Sequence, residues 1–442
     1  MNDTMRMTII AFILFMSNGV TGPLSSLYAE SLGANYAAIG LLGTVRSLAA
    51  IVFGYIWGRA SDLWGQRKLF LVGSLAIVAV SYGLTSLAPS YGWLYPMRVL
   101  GALAQAGYGT ASLALMGDLL EHQSQGRGRR MGVFRGLASL GFGLMALISG
   151  SIADRFSLRI PFVIAALLAL SACVVALFVH EPESNRPTLK RTLRESLRTA
   201  RALIVQMWRE TRDATTKAAA VVVSTLAQHT DTQSKADAQD TPESLRLPLA
   251  PLLVSALLWS LVTGAVYAVW ANYMVGEMGY SPSSMTALWA LASTSEFPLM
   301  ILAGWLSDRF GRLPILSIGF LAWAVVFAGY VVAPTMPWIV GIQLVRGFAY
   351  SAYTATAMTY ASEVRSRAQR GWASGLYSAA GGIGSILGAA TGGALTQLAG
   401  FRIMFAANAA LILLGAIYLG TEALRYRNKA RRIKREWSTE KP

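Results

Sequence analysis

The sequence predicts an all-α membrane protein, with twelve transmembrane helices arranged as two pseudo-symmetric six-helix bundles. Three observations carry this expectation. Hydrophobic residues make up 54% of the 442-residue chain and charged residues only 14%, too little charge to cover a water-soluble domain. The apolar residues gather into about twelve runs, each near the roughly 20 residues a helix needs to cross the hydrocarbon core. A short charged pattern, G-x-x-x-D-x-x-G, stands at Gly58–Gly65 and recurs at Gly304–Gly311, each time closing an apolar run.

Taken in order, the predicted spans lie near 7–30, 36–57, 69–88, 92–117, 131–153, 159–179, 249–275, 284–306, 314–333, 337–361, 372–398 and 402–424. The first run is longer than the core of a cleaved signal and leads straight into the second, so it reads as a span that stays. Spans 2 and 8 end at the two charged motifs. An even number of spans puts both termini on one side. The loops on that side carry Arg59, Arg67 and Lys68; Arg127, Arg129 and Arg130; Arg309 and Arg312; Arg365, Arg367 and Arg370; and a tail from Arg425 to Arg435. The opposite loops are nearly bare, with basic residues only at Arg155, Arg159 and Arg402. Positive-inside bias makes the first side cytoplasmic, and the expected location is the plasma membrane, as a multi-pass protein.

The repeat extends past the motif. Gly33 and Gly279 share the motif's spacing of 246 residues. Later in each half the spacing is 243, pairing Gly132 with Gly375, Gly141 with Gly384, Gly150 with Gly393, and Arg159-Ile-x-Phe162 with Arg402-Ile-x-Phe405. The expected domains are therefore an N-terminal bundle over 1–180, a central cytoplasmic loop over 181–248, a C-terminal bundle over 249–425 and a basic cytoplasmic tail over 426–442. In the loop, Leu189, Leu193, Leu197, Ile204 and Trp208 follow helical spacing, with Lys190, Arg191, Arg194, Arg198 and Arg201 mostly around the other face. Such a helix suits the surface of an anionic inner leaflet.

Several function classes are excluded by what the chain contains. The net charge of +16 is spread through alternate loops, the pattern of membrane topology rather than nucleic-acid binding. A single cysteine, Cys173, forms no intrachain disulfide, and His122, His180 and His229 are scattered, so neither a zinc site nor any other metal is expected. No phosphate-binding G-x-x-x-x-G-K-[ST] loop is present. The spans hold no close nucleophile, histidine or paired-acid constellation, so neither an enzyme nor a cofactor is expected.

Charges inside spans cost roughly 2.5–3.5 kcal/mol each on insertion scales and mark functional candidates. They are Arg46, Arg98, Arg135, Glu296 and Arg346. Glu30, at the outer end of span 1, reads as interfacial. Glu296 is the sole carboxylate well inside a span, and in that setting it needs either a proton or a cation.

The doubled motif on a twelve-span chain resembles the major facilitator superfamily of secondary transporters, as does Arg98 with Gly101 early in span 4. Leu63 follows the first aspartate, where family members often have a basic residue; Arg309 keeps it in the second copy. Span 5 lacks the proline of the family's antiporter motif, and the nearest match is Gly384, Gly388, Ala389, Gly392 and Gly393 in span 11. The resemblance implies alternating access by a monomer that binds a small-molecule substrate and protons. Export of an amphiphilic or aromatic compound comes first. Uptake of an organic anion or other metabolite is the alternative, and a membrane receptor or scaffold is a reading from another class. It implies a cytoplasmic gating motif of Gly58, Asp62, Gly65, Arg67, Lys68, Gly304, Asp308, Arg309, Gly311 and Arg312. There Asp62 would latch onto the start of span 11 near Gly371, and Asp308 onto the start of span 5 near Met131. Spans 1, 4, 7 and 10 would line a cavity with Asn18, Arg98, Gln105, Tyr108, Trp259, Tyr267, Trp270, Tyr273, Arg346, Tyr350 and Tyr353. Proton coupling would fall to Glu296, Arg135 and Arg98, with ionised Glu296 paired to Arg135.

Overall fold

The computed structural model describes residues 2–64, 67–119, 127–180, 247–333, 335–364 and 370–439, and every regular element among them is helical. Among the described residues, ten stretches are long and apolar enough to cross a membrane. The last, Ala373–Arg432, holds two helices joined at Gly400, whose φ of +83° breaks the helical path. Met336–Glu363, span 10 in chain order, is about 42 Å long at 1.5 Å per residue and brings the span-length helices among the described residues to twelve. The chain is thus an all-α membrane protein of twelve spans. The expected interfacial helix of the central loop lies outside the described residues.

Element ends depart from the hydropathy reading where backbone chemistry intervenes. Span 1 is two helices, Asp3–Thr21 and Ser25–Ser31, because Pro23 has no N–H to continue the first. Span 7 runs over Leu249–Asn272 and ends in a π-helical turn, Tyr273–Glu277. Span 12 does not stop near 424: its helix continues to Thr439, through most of the expected basic tail.

The chain forms two compact units: Met1–Thr215 with Ala268–Ala290, and Thr216–Tyr267 with Leu291–Pro442. In the first, Met7, Ile10, Leu14, Leu71, Leu75 and Leu115 are fully buried in the core. Cys173 belongs to the same core, its thiol directed at the Val72 carbonyl. Spans 1 and 5 approach so closely that a Cβ at Gly141 would overlap the Phe12 carbonyl, and one at Gly19 the Phe142 carbonyl. The second unit repeats the device on its own spans. Gly384, Gly388 and Gly392 present a glycine edge every four residues, and a Cβ on any of them would strike the backbone of Leu257, Leu261 or Ala265 on span 7. Lipid gives helices no hydrophobic reason to associate, so contact of this kind is what holds them. Apolar side chains face outward: on span 6, Leu167, Leu170, Val174 and Leu177 form an exposed stripe at helical spacing.

Candidate functional site

In the first unit, span 1 brings Asn18 against spans 3 and 4. The Asn18 Oδ1 accepts from the Tyr82 hydroxyl and from Gln105 Nε2, each at 2.8 Å. Gln105 also lines a cavity of about 500 Å³, walled by Phe15, Tyr108, Phe134, Ala138 and Phe142. Of the residues expected to line a cavity in this half, the structure brings Asn18, Gln105 and Tyr108 together. Arg98 lies about two turns before Gln105 on the same helix, within electrostatic reach of Tyr82.

In the second unit the chemistry gathers on spans 7, 8 and 10. Gly347 lets span 10 lie directly against Ser295 of span 8, where a Cβ would overlap the serine hydroxyl. The neighbours of that contact are Arg346 and Glu296, and their side chains meet with Nη2 and Oε1 3.9 Å apart. Arg346 is 4% exposed and Glu296 17%. The Ser351 hydroxyl donates to the Glu296 carbonyl at 3.0 Å, tying the two spans again. Arg346 lies over the Tyr267 ring, 5.3 Å from its centroid, and donates to Gln343 Oε1 at 3.4 Å. Beside it Trp259 stacks on Tyr353 with centroids 4.3 Å apart, Tyr350 stands 6.0 Å from Trp259, and the Tyr353 and Tyr377 hydroxyls meet at 3.1 Å. The buried Trp259 Nε1 and Gln343 Nε2 have no hydrogen-bond partner among the described residues.

Trp270 and Tyr273 do not join this cluster. Both belong to the first unit and are buried, Trp270 edge-on to Trp289 with centroids 5.4 Å apart. Next to them Asn272 Nδ2 donates to Glu30 Oε2 at 2.6 Å, so Glu30 is an engaged carboxylate. The expected partner of Glu296, Arg135, has its side chain outside the described residues; Arg346 is the cation the structure records beside it.

The repeated motif is described in part. Gly65 and the side chain of Asp62 lie outside the described residues. So do the surroundings of Met131 and Gly371, where the latches were expected, while Gly58 is placed within span 2. What is described ties each motif to its own half. Arg67, at the start of span 3, pairs with Asp118 at the end of span 4. Arg312, at the start of span 9, pairs with Asp308 one turn earlier and takes Glu363, at the end of span 10, through two bonds of 2.9 and 2.8 Å. Gly311 between them has φ +94°, which only glycine adopts without strain. Arg309 folds back over Trp305, 5.4 Å from its ring centroid, and Lys68 donates to the Leu177 carbonyl at 2.7 Å, capping span 6. Asp118 and Glu363 were missed in the sequence. The available signal was their common separation of 51 residues from Arg67 and Arg312.

The sequence profile of the Major Facilitator Superfamily matches residues 7–235 and 251–440. Among similar proteins, the maltose permease of Geobacillus stearothermophilus is 23% identical over 390 residues, covering 87% of this chain and 86% of its own. Multidrug resistance protein 2 of Bacillus subtilis is 21% identical over 394 residues, covering 88% and 87%. A solved structure of the nucleoside transporter NupG, in a point-mutant form, superposes with a TM-score of 0.73 at 14% identity, covering 95% of this chain and all of that one.

Proposed function

The chain belongs to the major facilitator superfamily of transporters, and from that premise we propose that it moves a small organic solute by proton-coupled alternating access, with Glu296 as the coupling acid. The observation that carries this reading is the juxtaposition of Glu296 and Arg346 at 3.9 Å within one unit. The distance is close enough for Coulomb attraction and too long for a hydrogen bond. Ionised Glu296 balances Arg346. A proton on Glu296 removes that balance and leaves one net positive charge among Tyr267, Gln343 and Tyr350. Proton arrival and departure thus change the charge of the cluster by one unit, and a solute bound beside the cluster senses that change. The aromatic lining suits an amphiphilic or aromatic compound. Export is the direction we infer, as the name of the Bacillus subtilis relative suggests. Both termini lie in the cytoplasm on the positive-inside argument.

Glu296→Gln fixes the side chain in an uncharged, proton-like form. In proteoliposomes loaded with a solute chosen by thermal-shift screening, this variant is expected to keep solute exchange and lose accumulation driven by an imposed pH gradient. Wild-type accumulation by the variant overturns the assignment.

A further inference from the structure

Two arginines of the first unit have no role in the coupling pair. Arg46 lies in span 2 and Arg98 in span 4, and the two spans are tied on either side of them: the Tyr95 hydroxyl donates to the Ala38 carbonyl at 3.4 Å, and Trp57 Nε1 to the Leu103 carbonyl at 2.8 Å. Each arginine lies within electrostatic reach of the other. Neither guanidinium makes a hydrogen bond or ion pair with a described residue. Of the described carboxylates of this unit, Asp3 is engaged with Arg6, Glu30 with Asn272, Asp118 with Arg67 and Asp154 with the Ser283 N–H, while Glu277 is exposed at the end of the π-helical turn after span 7. Arg46 is exposed and Arg98 half-buried, and the two like charges on adjoining spans repel one another, a repulsion that a bound anion would relieve. Around them lies a set of neutral polar groups. Tyr82, on which the charge of Arg98 bears, donates to Asn18, Asn18 accepts from Gln105, and Gln105 opens onto the 500 Å³ cavity walled by Phe15, Phe134 and Phe142. The amides thus lie between a pair of cations suited to a charged head and an apolar chamber suited to a body, which the arginines themselves do not line.

We propose that Arg46 and Arg98 form an anion-binding pair, and that the transported solute is an amphiphilic anion, an aromatic or aliphatic body bearing a carboxylate. This names the substrate class for the transport reading above and rests on it. A planar guanidinium offers paired N–H donors that match the two oxygens of a carboxylate. An ammonium head would be repelled, and a neutral amide would forgo the charge-assisted bonds.

The test is equilibrium binding to the purified full chain in an uncharged detergent, read by thermal shift and calorimetry, with three probes sharing one body: 4-phenylbutyrate, 4-phenylbutyramide and 4-phenylbutylamine. The carboxylate is expected to bind tightest and the amine weakest. Arg46→Gln and Arg98→Gln should each weaken the carboxylate by about tenfold or more, the usual worth of a charge-assisted bond, with amide binding unchanged. Arg98→Lys, which keeps the charge, should retain part of the preference and serves where the glutamine variant fails to fold. Equal binding of the three heads, a preference for the amine, no carboxylate binding, or a carboxylate preference that survives both glutamine changes each overturns the proposal. No proton gradient is present in this measurement, so failure of Glu296 as the coupling acid leaves its outcome unmoved.

Discussion

Glu363 and Asp118 each end a span with a carboxylate set against the arginine that begins the preceding span. The Arg312–Glu363 pair is bidentate, which sets it above an ordinary exposed ion pair. In a double-mutant cycle of Arg312→Gln and Glu363→Gln, unfolded in mixed micelles, a coupling energy of about 1 kcal/mol is expected, and additive effects would mean the pair contributes nothing. The residues that were legible in the sequence share one property. Glu296, Arg346 and Arg98 are charges in apolar runs, and that setting makes them conspicuous. Asp118 and Glu363 stand at span ends, where charge is ordinary and is absorbed into the topology argument. Arg346 was legible as a charge, but its place beside Glu296 was not, because hydropathy orders residues along a helix and carries nothing about which helix lies beside it. The Gly347–Ser295 contact supplies that information, and only a structure displays it.

At the scale of elements, the glycines of span 11 matched the family's antiporter motif only in part, yet their physical role is plain. Gly384, Gly388 and Gly392 form the face on which span 11 meets the backbone of span 7, and Gly141, the mate of Gly384 in the repeat, does the same between spans 5 and 1. A side chain there must push two helices apart. Gly388→Leu is expected to lower the thermal midpoint sharply and to reduce the yield of monodisperse protein. Gly375 in the same span has open space at its Cβ, and Gly375→Ala is expected to be neutral. Equal tolerance at the two sites would contradict the packing argument. Apolar runs placed the spans correctly because length and hydrophobicity are one-dimensional facts. They overlooked the break at Pro23, across which apolarity continues, and the extension of span 12 to Thr439, where a basic sequence remains a good helix former.

For the whole molecule, the repeat made the architecture readable: Gly33 and Gly279 hold matching positions in the two halves, and both take positive φ, +89° and +71°. Sidedness rests on the distribution of arginine and lysine alone. Reporters fused after residue 215 and at the C-terminus are expected to read as cytoplasmic and one near Pro334 as external; opposite readings for the first two would break the even count of spans. The solitary Cys173, buried and pressed against Val72, bears on how such experiments are done. A thiol is attacked by maleimides only as an accessible thiolate. The unmodified chain is therefore nearly silent to such reagents, and a cysteine introduced anywhere on its surface or along its cavity will report alone, without the native thiol having first to be engineered away.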